Sequence, residues 1–557
     1  MKKFRYYLFL VAIIFLAFTL RFYNLGTVPS GLQQDESSIG YNAYSILETG
    51  KDEYGKSLPI AFKAFGEYKL PLSIYLTTGS FAIFGVSELS LRLPSALFGL
   101  LTVVLVYFLV FEMYGNRNLA LISSFLLSIN PWHIHFSRGA YEVTPALFLI
   151  TLGVYLFLVF IRKKSLLILT GSLTALVLSL YGYNIARLFI PTIIVLLGVI
   201  FYKKISGINK SGLLVSIIIP CIALIPFVVS LLSKGGFDST KGTLIPTSAV
   251  VQAENLQTRS YILQSSPIAS KILFNTPVSD VLFYLKNVVS YVDGDFFFGN
   301  GPSHGNHGIG NVGLFHVWEI LTLIIGVVTL TRRNDKNKLI LFGWTAGVIL
   351  IASFTREAPQ ATRSFFAVAP LTIISAVGLY EMFSRVLKLK KYSTIVLISL
   401  LLFGIYSFAY YAASYFYKFP VQYAKEYRSE DKRLVLALKK LESNYNEIYI
   451  DNSADVLYSS IAFQSRFSPL EFQRTTIRMK DDSEGFSRVV SFGKYTYIDP
   501  ENINTNQKFL LVSNEEKPGF RVVEKILYPS RPAVIAKGQE VINFPVEETA
   551  YVLLEKN

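Results

Sequence analysis

Asp35 and Glu36 stand side by side in Pro29-Ser-Gly-Leu-Gln-Gln-Asp-Glu36, after one apolar segment and before apolar sequence resumes at Lys69-Leu-Pro71. An acid pair at the edge of a bilayer suits a general base that takes a proton from an acceptor hydroxyl or amine. Asp35 can also be read as the N-cap of a following helix, although Ser38 leaves a capping box incomplete. The two roles are compatible. Downstream, Ile39, Ala43, Ile46 and Leu47 recur at helical spacing with Tyr41 and Tyr44 beside them. This pattern predicts a short amphipathic helix lying at a membrane interface.

Four arginines form a second group: Arg138, Arg187, Arg356 and Arg363, each at the end of an apolar stretch. Guanidinium groups there could hold a lipid phosphate through paired N–H donors. Pairing with Glu142 or Glu357, or snorkelling to headgroups, accounts for any one of them equally well. A third group is the Gly-rich stretch from Phe296 to Gly310, in which His304 and His307 lie three apart. It reads as a flexible re-entrant loop or as part of a metal site, with no second ligand pair at a recognisable spacing. Asp293-Gly-Asp295 has the look of a metal-binding acid pair and equally of a common turn. His133 and His135 flank a span end, where at least one is expected to be structural.

These residues need a scaffold, and composition supplies its class. The 557 residues are 52% hydrophobic, 15% aromatic and only 16% charged, the balance of a polytopic α-helical membrane protein. The net charge of +15 is spread over the flanks of apolar segments, which argues against nucleic acid. A single cysteine, Cys221, excludes an intrachain disulfide, and no Gly-Lys-Ser/Thr phosphate loop occurs. The amino terminus lacks a small-residue cleavage site and reads as a first span.

Apolar stretches of spanning length predict about 11 transmembrane helices: 6–20, 93–111, 119–136, 144–161, 165–182, 188–202, 212–232, 312–330, 339–354, 365–383 and 393–413. With 70–85 kept out of that count as a juxtamembrane or re-entrant helix and the amino terminus inside, eighteen basic residues flank the inner side. Only the four arginines lie on the short outer loops. Loops 21–92 and 233–311 and the tail then lie outside. The division expected is a transmembrane domain over 1–413 and an extracytoplasmic α/β domain over 414–557. The latter has a helix at Ser429 to Ser443 and strands at 447–451, 509–513, 533–536 and 551–554.

The order of these motifs resembles that of bacterial glycosyltransferases related to protein O-mannosyltransferases and lipid A aminoarabinose transferases, in the superfamily of C-type fold. The segments that carry the resemblance are the acid pair, Lys69-x-Pro71, and Phe84-Gly-Val-Ser-Glu-Leu-Ser-Leu-Arg92-Leu-Pro-Ser95. Pro131-Trp-His-x-x-Phe-Ser-Arg138, Tyr181-x-Tyr183 leading to Arg187, and the His loop complete it, over roughly residues 1–412.

The resemblance implies inverting transfer of a sugar from a polyprenyl-phosphate donor to a protein, lipid or cell-envelope glycan, on the outer face of the plasma membrane. Asp35 matches the catalytic acid and Lys69 a lysine near the lipid phosphate. Glu36, Arg138, Glu142, Tyr183, Arg187, His304, Arg356 and Arg363 are the further substrate-binding candidates, and Glu67 and His307 the metal candidates. Related aminoarabinose enzymes carry a metal-binding Glu directly before the lysine; here Tyr68 holds that place and Glu67 precedes it. No cofactor is required on this reading, and a divalent metal is compatible with it. The rival class is a transporter or flippase of lipid-linked sugars, which predicts mid-membrane ionisable residues and related halves.

Overall fold

The computed structural model describes residues 2–556 except 66, 233–243, 248, 303, 482–486, 506, 538 and 539. Part of the expected outer loop 233–311 therefore lies outside the described residues. Helices occupy all eleven stretches expected to span. Among the described residues, seven helices are apolar and long enough to cross a membrane: Phe4–Phe22, Glu88–Tyr114, Val143–Lys163, Ala186–Ile205, Lys210–Leu232, Ala361–Val386 and Ser393–Gln422. The other four, Arg117–Ile129, Leu166–Ser179, Glu319–Arg332 and Asn337–Ala352, have 13 to 16 residues. A straight span needs about 20. The chain is a multi-pass membrane protein.

Two compact units divide the chain, and they cut across the linear split at residue 413. The first unit holds residues 1–23, 95–137 and 141–412. Its helices pack through small residues: a Cβ at Gly378 would collide with the Thr322 carbonyl, so Glu319–Arg332 and Val368–Val386 approach closely. Thr322 and Ser375 share a hydrogen bond of 2.7 Å across that seam. Pro131 breaks the 117–138 stretch, and Asn130 caps the helix Pro131–Arg138 by accepting from His133 N–H at 2.9 Å. Trp132 then packs among Phe297, Phe315 and Phe365.

The second unit holds residues 24–94, 138–140 and 413–557. Its seven-stranded sheet runs, across the sheet, Ile477–Arg478, Val489–Phe492, Tyr495–Ile498, Glu447–Asp451, Phe509–Ser513, Thr549–Lys556 and Phe520–Leu527. Glu447–Asp451 is parallel to both neighbours, and the remaining pairs are antiparallel. It and Phe509–Ser513 are buried almost throughout, as central strands covered on both faces must be. The strand expected at 533–536 belongs instead to a separate hairpin, Arg531–Lys537 with Glu540–Val546. The expected helix forms as Ser429–Leu441.

The helix after the acid pair, Gln34–Thr49, corrects its sequence reading. Its apolar face meets protein rather than lipid: Tyr41 packs edge-on against Phe472, and Ser37 hydrogen-bonds Ser459 at 2.7 Å. Gly40 lies so close to the Phe463 ring that any side chain there would displace it. Small residues on the opposite face (Ser38, Asn42, Ser45) are also buried, so the helix is enclosed on nearly all sides. Pro71–Phe84, 14 residues long, packs on it in the same unit.

Candidate functional site

Asp35 and Lys69 meet in the second unit. Lys69 ends a short hairpin, Phe62–Ala64 with Glu67–Lys69, that delivers its ammonium to Asp35 at 2.8 Å. The lysine side chain is 5% exposed and the aspartate 52%. A shielded cation thus faces a carboxylate that solvent can reach. Asp35 is not the N-cap; Gln33 is, and Asp35 sits in the first turn, where a carboxylate complements the helix dipole.

Glu36 is different, and its assignment as a substrate-binding residue is corrected. It is fully buried, and both of its oxygens are occupied. Arg92 Nε donates to Oε1 at 2.9 Å and Nη2 to Oε2 at 3.0 Å, a two-pronged pair. The Ala140 and Gln33 N–H groups complete the set at 2.9 and 3.3 Å. Arg92 also donates to the carbonyls of Leu25, Pro29 and Gly31. One buried ion pair therefore fixes the loop that presents Asp35. Gly31 has no room for a side chain, because a Cβ there would strike Tyr427 O and Ser429. Ser30 ties the same loop to Pro420 O at 2.7 Å.

Arg138 is fully buried in this unit, donates to Val28 O at 3.1 Å, and lies over the rings of Phe416 and Tyr415 at 4.9 and 5.5 Å. Its guanidinium is enclosed by backbone and aromatic faces.

The remaining candidates lie in the first unit. Half-buried Arg187 stands over Phe227 at 5.6 Å. Tyr183 meets Phe366 edge-on at 6.2 Å. Glu142 is half-buried just before Val143–Lys163. Glu357 pairs with both Arg356 at 3.4 Å and Arg363 at 3.0 Å, the local pairing weighed from sequence. His307 Nδ1 shares a hydrogen bond of 2.9 Å with Thr362, and His304 is exposed, the two rings 6.4 Å apart. Asn306 O accepts from Tyr141 and lies 3.2 Å from His135 Nε2, so these two side chains anchor the His loop. Among the described residues, no group of three or more His, Cys, Asp or Glu side chains could hold a metal ion. The side chain of Glu67 lies outside the described residues. Asp293 caps a short helix and Asp295 accepts from Asn300, a turn rather than a ligand pair.

Three groupings went unread in the sequence. Arg92 belongs to a motif noted there without a role. Arg21 is fully buried, donating to Ser128 O and Leu127 O at 3.1 Å and lying 2.7 Å from His133 Nδ1, which makes that histidine structural. In the second unit, Glu53 is buried, accepts from Tyr458 at 3.0 Å, and lies beside Arg478, whose guanidinium covers Tyr54 at 4.0 Å. Burial pushes the Glu53 carboxyl up to about 7.

Residues 11–234 match the profile of the dolichyl-phosphate-mannose-protein mannosyltransferase family. An uncharacterized protein of Aquifex aeolicus is 34% identical over 168 residues, which is 30% of this chain and 32% of that relative. ArnT from Cupriavidus metallidurans, solved with undecaprenyl phosphate bound, superposes with a TM-score of 0.55 at 12% identity, covering 98% of this chain and 97% of that one. The oligosaccharyltransferase AglB from Archaeoglobus fulgidus, solved with an inhibitory peptide and a dolichol-phosphate, gives 0.48 at 13% identity. That comparison covers 83% of this chain and 64% of AglB, so the chain spans less than two thirds of either AglB or the Aquifex relative. The fold is like that of ArnT, with a carboxy-terminal β-sheet domain.

Proposed function

We propose that this chain is a glycosyltransferase that moves a sugar from a polyprenyl-phosphate donor to an acceptor, with inversion, at the extracytoplasmic face of the plasma membrane. The amino terminus is cytoplasmic and the carboxy-terminal sheet extracytoplasmic on this reading. The observation that carries it is the pairing of open Asp35 with shielded Lys69 at 2.8 Å, in a segment that matches a mannosyltransferase family. Undecaprenyl phosphate bound in the similar structure of ArnT supports the donor class.

The acceptor O–H or N–H gives its proton to Asp35 while its heteroatom forms the new bond to the anomeric carbon. The bond from that carbon to the phosphate oxygen breaks, and polyprenyl phosphate leaves. A single displacement inverts the anomeric centre. As Asp35 is protonated it loses its hold on Lys69, whose charge becomes available to the departing phosphate. Cationic side chains serve the leaving group, so no metal is required on this reading; a divalent metal is the alternative that chelation tests.

The deciding experiment is transfer in membranes supplied with radiolabelled polyprenyl-phosphate sugars, comparing wild type with Asp35→Asn at matched expression. Loss of transfer with donor binding intact supports the enzyme. Transport of the lipid-linked sugar without transfer by either protein favours a flippase instead.

A further inference from the structure

A cavity of about 360 Å³ opens in the second unit, outside the Asp35 site. Its walls are the 26–27 loop, residues 86–89, and the helices Ser429–Leu441 and Tyr458–Ser465. Val86, Leu89, Val435, Leu436 and Phe463 make it apolar. Its polar lining is Lys432, Lys439, Arg466, Glu88, Gln464, Ser87 and Thr27, so cations outnumber the lone carboxylate three to one. Lys432 pairs with Glu88 at 3.0 Å, and Arg466 donates to Val86 O at 2.7 Å. Lys439 has no ion pair among the described residues, and neither side-chain amide atom of Gln464 has a hydrogen-bond partner.

Glu88 is the first residue of Glu88–Tyr114, a helix apolar and long enough to cross a membrane, so the cavity lies beside one end of a candidate span. Leu89 and Leu436, both lining residues, expose 48 and 55% of their surface and give the opening an apolar lip. Apolar walls, a cationic mouth and a place beside the end of a candidate span fit one ligand class.

We propose that this cavity binds an anionic phospholipid, with the upper acyl chain between Leu89, Leu436 and Phe463 and the phosphate at Lys439 and Arg466. The site is independent of the glycosyl-transfer reading. It would fasten the second unit to the membrane at the start of a span.

The test places a photoreactive benzoylphenylalanine at Leu436 in the full chain, reconstituted in vesicles of three parts phosphatidylcholine to one part phosphatidylglycerol. Mass spectrometry of the adducts is expected to show a phosphatidylglycerol-to-phosphatidylcholine ratio about tenfold above the bulk ratio, a factor that a single charge-assisted contact can supply. Lys439→Glu with Arg466→Gln should return the adducts to bulk composition, while Lys439→Arg retains the enrichment. Lys439 is exposed, so Lys439→Glu alone provides a variant that folds if the double one does not. Adducts at the bulk ratio in wild type, no lipid adduct, or enrichment that survives Lys439→Glu would each overturn the proposal.

Discussion

Lys69 Nζ lies 2.8 Å from Asp35 Oδ1, the lysine shielded and the aspartate open to solvent. One contact therefore joins the proton acceptor to the cation proposed for the leaving phosphate. Asp35→Asn keeps the shape of the side chain and removes its basicity. Transfer should fall by about 10²- to 10⁴-fold, the usual worth of a positioned base, while donor binding persists. Single-turnover transfer and donor binding, measured side by side, check this.

Lys69→Met should act on both sides of the reaction. Asp35 loses its partner and the phosphate loses a cation, so donor KM rises and kcat falls together. A change in neither would remove Lys69 from the mechanism.

Glu36 and Arg92 test the scaffold instead. Removing one member of a fully buried pair leaves the other charge uncompensated, at a cost of about 3–5 kcal/mol. Arg92→Met and Glu36→Leu should each lower the thermal midpoint sharply, and the double variant should recover part of the loss. Melting of the purified proteins in detergent provides the comparison.

Glu53 makes the second unit sensitive to pH. Its carboxyl is raised by burial to about 7 from an ordinary 4.5, so the folded state binds the proton more tightly than the unfolded state. Stability from this group is complete below about 4.5 and declines as pH rises to about 7, by roughly 3 kcal/mol at most. Glu430, raised to about 8 by burial and by Asp431 beside it, adds a slope of the same sign that reaches further. Melting at pH 6 should exceed melting at pH 8.5, and Glu53→Gln should flatten part of the difference.

Chelation with EDTA should leave transfer unchanged. A loss restored by a divalent cation would instead make the transfer metal-dependent.

Local signals were legible in the sequence, and distant pairings were not. Hydrophobic length located every expected helical stretch, and short β-branched runs located Glu447–Asp451 and Phe509–Ser513. The periodicity of Gln34–Thr49 revealed a helix but not its partner, since an apolar stripe fits lipid and protein equally. Glu36 and Arg92 lie 56 residues apart, and Arg21 and His133 lie 112 apart. Nothing in the local composition of a charged residue says that its counter-charge arrives from so far along the chain. Arg356 and Arg363 were readable because Glu357 is their neighbour in sequence as well as in space.

The second unit is assembled from three separated stretches, and the strand Thr549–Lys556 lies inside its sheet, between Phe509–Ser513 and Phe520–Leu527. The loop bearing Asp35 is synthesised within the first tenth of the chain, yet the residues that clamp it at Pro420, Tyr427 and Ser429 emerge hundreds of residues later. Thr549–Lys556, made after every other strand of that sheet, has a neighbour on both sides. A ribosome that stalls before residue 420 thus releases a membrane anchor with an unassembled acidic loop, and the proposed base reaches its folded setting only once the later residues of the second unit have emerged.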